Sequence, residues 1–219
     1  LNMLLVAKRL DVVEPSPTLA ITARANALKA EGKDVVGFGA GEPDFDTPEH
    51  IKNAAKLAMD KGQTKYTPVS GTVSLKDAII AKFKRDNNLI YERKNIIVGV
   101  GGKQVLYNFF MATINPGDEV IIIEPAYDCY IPAVELSGGI PVYSSLQYPD
   151  FKLNHDELKG LVNSKTRMII INTPHNPGTS VLDANDMAFL SELTRDTQII
   201  ILSDEVYEHI IFDQAQHQS

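Results

Sequence analysis

The sequence predicts an α/β protein built on a mostly parallel sheet with helices on both faces. Three observations predict it. From residue 95 onward, short apolar runs alternate with segments of helical periodicity, the pattern of repeated strand–helix units. The runs themselves ("EVIII", "MIII", "IIIL") are nearly continuous rather than alternating, as expected of strands covered on both sides. The composition is that of a globular chain, with 44% hydrophobic and 22% charged residues over 219 positions, long enough to bury a sizeable core in one large domain or two small ones.

Each element has its own signal. Ser16-Pro17 opens a helix that runs from Thr18 to Glu31 and is stopped by Gly32. "DVVGFGAGEPDF" ends a short apolar run in glycines and a proline and reads as a loop. Pro48 at a first helical position opens a helix to about Lys61. Residues 64–71 are a loop, and Val73, Leu75, Ala78, Ile79 and Phe83 give 73–86 a helical spacing. Strands are expected at Asn95–Val100, Glu119–Ile123, Ile140–Tyr143, Arg167–Asn172 and Ile199–Ser203, with helices at about 103–113, 127–137, 155–163 and 184–195 between them. Residues 1–45 read as an N-terminal arm and connector, and residues 46–219 as the main domain.

The bulk numbers exclude several classes. The net charge is −7 with no basic block, so nucleic acid is not an expected partner. One cysteine, Cys129, rules out an internal disulfide and fits a reducing compartment. The apolar run from Leu4 to Ala7 is too short for a signal-peptide core or a membrane span. The expectation is a soluble, cytoplasmic protein without a membrane partner. The histidines show no metal-ligand spacing, so no metal site is expected, and no nucleophile elbow, P-loop or GxGxxG is present.

In an open parallel sheet, ligands bind beyond the carboxyl ends of the strands, so the residues just after each apolar run carry the information. After Asn95–Val100 come Gly101, Gly102, Lys103 and Gln104 at a helix start, where free amides and close approach suit a phosphate. After Glu119–Ile123 comes Tyr127, whose ring could stack on a planar heterocycle. After Arg167–Asn172 comes "TPHNPG" with Asn176, which could hydrogen-bond a ligand oxygen. After Ile199–Ser203 come Asp204 and Tyr207. Each has a plainer reading alone: a glycine turn, a packed aromatic, an Asn-Pro turn, a helix cap. Together they describe a site for a phosphorylated planar heterocycle, with partners for phosphate, ring face, ring oxygen and ring nitrogen.

The motifs "GAGEPDFDTPEHI", "KYTPVSG", "GGKQVLYNFFMATINPGDEVII", "INTPHNP" and "SDEVYEH" resemble, in order, the aspartate-aminotransferase-like class I/II enzymes of pyridoxal-phosphate fold type I. The resemblance implies a cofactor, pyridoxal 5'-phosphate, and transamination between an α-amino acid and a 2-oxo acid. It implies that Asp204 pairs with the pyridine nitrogen, keeping the ring an electron sink, and that Tyr207 and Asn176 bond its phenolic oxygen. Tyr127 would stack on the ring, and the Gly101–Gly102–Lys103 backbone would hold the phosphate. Tyr66 would reach the phosphate of a neighbouring subunit, which implies a homodimer, and Gly41 would lie in the loop that contacts the substrate carboxylate. Pro125 and Pro177 fall where the family often has cis peptides.

Three departures from the family pattern stand out. The Schiff-base lysine follows "SDEVYEH" in the family, whereas no lysine follows Lys165 here. The carboxylate-binding arginine of the C-terminal small domain is also missing. "HNPGTS" replaces the usual Asn-Pro-Thr-Gly order, which puts the turn after Pro177 in doubt. The expectation is therefore a truncated large domain, inactive or nearly so by itself, whose first strand lacks its neighbours. Up to about Ile123 the wording resembles bacterial aspartate aminotransferases, and from "EPAYDCYIPAVELSGGIPV" it resembles the methionine and kynurenine branch, so a chimera and a natural intermediate subgroup both stand. A β-lyase on the same fold and a non-catalytic fragment that binds the cofactor non-covalently are the alternative functions.

Overall fold

The computed structural model describes residues 6–39, 41–43 and 45–219. The loop expected over 34–45 is thus described except at positions 40 and 44, and of the apolar run from Leu4 only Val6 and Ala7 are described. The chain divides into two compact units, one of Leu1–Val13 with Val73–Ser219 and one of Glu14–Thr72.

The smaller unit holds helices α1 (Pro17–Ala30) and α2 (Glu49–Asp60). Ser16 caps α1 as expected, its side chain accepting from the Leu19 amide at 3.4 Å, and Pro17 takes the first turn, where a missing N–H costs nothing. Pro48 sits one place earlier than expected, as the extended residue before α2.

In the larger unit, a short 3-10 turn at Lys8–Val12 precedes helix α3 (Val73–Asn87) and a second such turn at Arg93–Asn95. Then follow α4 (Gly101–Thr113), β1 (Glu119–Glu124), α5 (Tyr130–Leu136), β2 (Ile140–Ser145), α6 (His155–Leu161), β3 (Thr166–Asn172), α7 (Ala184–Thr194) and β4 (Ile200–Asp204). The four strands form one sheet in the order β2-β1-β3-β4, and every pairing is parallel.

Because side chains alternate along a strand, each strand feeds two cores. Val120, Ile122, Met168, Ile170 and Leu202 meet Phe110 and Ile114 from α4 and its end, and Tyr130 and Val134 from α5. Ile121, Ile123, Ile169 and Ile171 meet Leu158 of α6 and Leu190 of α7 on the other side. Helices therefore cover both faces, which explains why the strands read as unbroken apolar runs. No helix among the described residues is long and apolar enough to cross a membrane.

The expected strand at Asn95–Val100 does not form. Asn95 closes a 3-10 turn and Ile96 is extended (φ −112°, ψ 128°), but residues 96–99 belong to no sheet. A strand is defined by the ladder it shares with a neighbour, and none of the described strands lies beside this segment. Ile96 is buried, whereas Ile97 and Val100 are 75% and 86% exposed. The difference between a paired and an unpaired segment should be measurable. Ile170→Ala, at a site 1% exposed, is expected to cost about 2–5 kcal/mol through lost burial and a residual cavity. Ile97→Ala is expected to stay within about 0.5 kcal/mol of the parent. Urea unfolding followed by circular dichroism compares the two.

Candidate functional site

The site is assembled at the carboxyl edge of the sheet. Arg167, at the start of β3, donates its Nε–H to the carbonyl of Thr113, the last residue of α4, at 2.9 Å. α4 therefore runs back against the strands, and its N-terminus lies at their carboxyl ends. Gly101 opens it with φ +79°, a left-handed conformation that glycine adopts without a Cβ penalty. The capping residue, Val100, has no side-chain oxygen to offer, while its own amide donates to Gln104 Oε1 at 2.6 Å. The positive end of a helix dipole thus faces the edge without a side-chain cap.

Lys103 projects from this first turn and holds its ammonium 5.4 Å from the centre of the Tyr127 ring. Burial works against the Lys103 charge, but the hydrogen bond and charge of Tyr127, with Cys129 and Asp128 alongside, outweigh it and raise its pKa. Burial, helped by Cys129, lifts the Tyr127 phenol above its ordinary value despite Lys103. Burial also pushes the Cys129 thiol up to about 11, which leaves it protonated and unreactive near neutrality. Tyr127 lies in the turn before α5, not inside the helix as expected, and its ring meets that of Tyr130 edge-on at 5.6 Å and 87°.

β3 and β4 end together, with Asn172 in register with Asp204. The Asn172 amide Nδ2 donates to the Asp204 carbonyl at 2.9 Å, and its Oδ1 accepts from the Asn176 amide at 2.7 Å. The Thr173 N–H also donates to the Asp204 carbonyl, at 3.1 Å. Beyond the strands, Asn176 Nδ2 donates to the Tyr207 hydroxyl at 3.3 Å. The Asp204 carboxylate accepts from the Tyr130 hydroxyl on Oδ2 at 2.7 Å and from the Val206 amide on Oδ1 at 3.3 Å. Glu124–Pro125 and Asn176–Pro177 are cis, as are Tyr148–Pro149 and Thr173–Pro174.

The larger unit thus gathers Gly101, Gly102, Lys103, Tyr127, Asn176, Asp204 and Tyr207 at one edge. Gly41 and Tyr66 belong to the smaller unit, where both are exposed in loops. Sequence reasoning missed Asn172 and Tyr130. The signal for Asn172 is an amide closing an otherwise apolar strand, and nothing in the sequence around Tyr130 marks it. A cleft of about 390 Å³ lies elsewhere, lined by Lys82, Phe83, Leu89, Tyr91, Ser203, Glu205 and Glu208. Beside it the fold also joins residues that no spacing linked. Glu205 accepts from Ser203 Oγ and meets His217 Nε2 at 2.8 Å, and Glu208 pairs with Lys82.

The turn after Pro177 has a definite local reason for its unusual order. His175 is 8% exposed, and its Nδ1 accepts from the Gly178 amide at 3.0 Å. A Cβ on Gly178 would fall 2.8 Å from that nitrogen, so glycine is needed for close approach. Thr179 then takes φ +58°, strained for a β-branched residue. Thr179→Gly is expected to stabilise the chain by about 0.5–1 kcal/mol, and Gly178→Ala to destabilise it by about 1–3 kcal/mol, both read from unfolding midpoints. Burial lowers the His175 pKa from its ordinary 6.5. The unfolded chain therefore takes up the proton first, so this contribution to stability is complete above pH 6.5 and is lost as pH falls through the lowered folded value. His175→Asn, which keeps an acceptor but does not titrate, is expected to flatten the acid limb of unfolding free energy measured from pH 8 to 5.

The family model "Aminotransferase class I and II" matches residues 33–219. The aspartate aminotransferase of Bacillus sp. (strain YM-2) is 46% identical over 214 residues, covering 97% of this chain and 55% of that protein. The crystal structure of the aspartate aminotransferase from Rhizobium meliloti superposes with a TM-score of 0.93 at 42% identity, covering 99% of this chain and 55% of that one. YbdL of Escherichia coli, identified as having a methionine aminotransferase function, superposes with a TM-score of 0.90 at 34% identity, covering 99% and 56%. The chain spans about half the length of the relatives it matches, and over that span both its sequence and its fold place it in the class I and II aminotransferase family.

Proposed function

We propose that these 219 residues supply the cofactor-holding part of a pyridoxal-phosphate-dependent aminotransferase that moves an amino group between an α-amino acid and a 2-oxo acid. The observation that carries the reading is the convergence of Asp204, Tyr207, Asn176, Tyr127 and the α4 N-terminus on one sheet edge. By role, residues 1–45 are then an arm and connector and residues 46–219 the cofactor-binding part, cytoplasmic and paired in a homodimer.

The donor set fits the cofactor. The uncapped amides of Gly101 and Gly102, with open space beside both glycines, and Lys103 suit a phosphate. Tyr127 offers a ring face. A carboxylate has about four acceptor positions, and two named donors occupy Asp204, so it can still accept from a protonated pyridine nitrogen. Tyr207 accepts from Asn176, which leaves its own proton to donate to a ring oxygen. When bound, pyridoxal phosphate supplies an electron sink for negative charge at the α-carbon of the amino acid. Gly41 would contact the substrate carboxylate and Tyr66 the phosphate held by a second copy. Lys103 is committed to the turn and to Tyr127, so the site retains the cofactor without a covalent link to this chain.

The amino donor is the finer question. The relatives named for aspartate and for methionine support donors of either kind. Fluorescence titration of the chain with pyridoxamine phosphate is expected to show saturable binding, weakened about tenfold or more by Asp204→Ala, equivalent to about 1.4 kcal/mol. After titration with pyridoxal phosphate, borohydride is expected to leave no adduct on Lys103, the lysine at the site. Joined in frame to the remaining part of the Bacillus sp. enzyme, the chain is expected to transfer the amino group of aspartate or methionine to a 2-oxo acid, again lost with Asp204→Ala. Equal binding by the Asp204→Ala chain, or a stable adduct on a lysine at the site, would overturn the reading.

A further inference from the structure

We propose that Tyr130 is a positioning residue for Asp204: its hydroxyl fixes the direction of the carboxylate that faces the cofactor's ring nitrogen. The proposal rests on the cofactor reading above and assigns a role to a residue outside the strand-end set.

Tyr130 opens α5 and is 2% exposed, so it cannot reach a ligand as an exposed donor would. Its single polar atom donates to Asp204 Oδ2 at 2.7 Å, the short distance of a hydrogen bond to a charged acceptor. The same ring packs edge-on against Tyr127. One side chain therefore touches both the aromatic that would lie over the cofactor ring and the acid that would meet its nitrogen, and sets the spacing between them. Burial first, and then the hydrogen bond and charge of Asp204, raise the Tyr130 phenol far above its ordinary value, so it remains a donor throughout the working range. Without it, the Oδ2 side of the carboxylate loses its fixed donor and is free to turn away from the ring nitrogen, and the ring loses part of the contact that favours its positive charge. The remaining named contact of the carboxylate, the Val206 amide at 3.3 Å, is longer and engages the other oxygen.

The test uses the whole chain with pyridoxamine phosphate labelled with nitrogen-15 in the ring. In the parent, the bound ring nitrogen is expected to show the chemical shift of a protonated pyridine at pH 8. Tyr130→Phe keeps the packing and removes the hydroxyl. It is expected to weaken binding about tenfold and to move the shift toward that of neutral pyridine. A residue with a merely structural role would weaken binding without moving the shift. Should Tyr130→Phe fail to fold by far-ultraviolet circular dichroism, fluorinated tyrosines at position 130 grade the acidity of the phenol while keeping its shape. The shift is then expected to follow that acidity, and a shift indifferent to it overturns the proposal. Unchanged affinity and shift in a folded Tyr130→Phe chain also overturn it. Asp204→Ala separates the two ideas. If that variant binds as the parent does, the cofactor reading falls and takes this proposal with it; if it binds weakly while Tyr130→Phe matches the parent, only the role of Tyr130 falls.

Discussion

The geometry of the carboxyl edge depends on the side chain of Asn172. It is 6% exposed and uses both ends of its amide, donating to the Asp204 carbonyl and accepting from the Asn176 amide. A buried amide left without partners costs about 1–3 kcal/mol, so alternative placements of the two loops are disfavoured by the same residue that ties them together. With the Thr173 amide also donating, the Asp204 carbonyl has both lone pairs engaged. Its backbone is then fixed, and only the direction of the carboxylate remains to be set, by Tyr130 on one oxygen and Val206 on the other.

That arrangement is possible because the core fixes register. Ile169 and Ile171 face one set of helices while Met168 and Ile170 face the other. A slip of one residue would exchange the two faces, moving each side chain into a space shaped for its neighbour. Packing along the length of β3 therefore decides which residue of β4 lies opposite Asn172. The strand's last position lies beyond the tight apolar layer, where a polar side chain can find partners, and there the sequence changes from isoleucine to asparagine and from leucine through serine to aspartate.

Much of this was legible from residues alone, for identifiable reasons. Period and composition marked four of five strands and the helices between them, because both signals are local. The strand-end rule placed Tyr127, Asn176, Asp204 and Tyr207 at one edge, because it needs only strand order and direction, whereas Lys103 reaches that edge from the first turn of α4 although the strand expected before it does not form. Tyr130 was not legible: its hydroxyl meets a residue 74 positions away, and nothing in "DCYIPAV" marks one tyrosine as core and polar at once. The strand expected at Asn95–Val100 failed for the complementary reason. Its apolar content is adequate, but a strand also needs a neighbour, and a neighbour is not a property of the segment. The Gly178-Thr179 order is likewise set by the approach of His175 to a backbone amide, a tertiary fact.

The charge pattern of the edge constrains what can bind and which way round. A chain with a net charge of −7 repels an anion at long range, but beyond about 8 Å such fields are largely screened at physiological salt, so the local pattern decides. At one end stand the α4 N-terminus and Lys103, whose charge Tyr127 reinforces. At another stands Asp204, whose neighbour Tyr130 donates to it and contributes no charge of its own. Tyr127 touches both ends, under Lys103 on one side and against Tyr130 on the other. A flat ligand with an anionic group at one end and a cationic ring nitrogen at the other is favoured in one orientation and opposed in the reverse, where phosphate would meet carboxylate. Under the proposed function, the polarity of the sheet itself sets that orientation, since α4 must run against the strands to bring its positive end to the edge where Asp204 terminates β4.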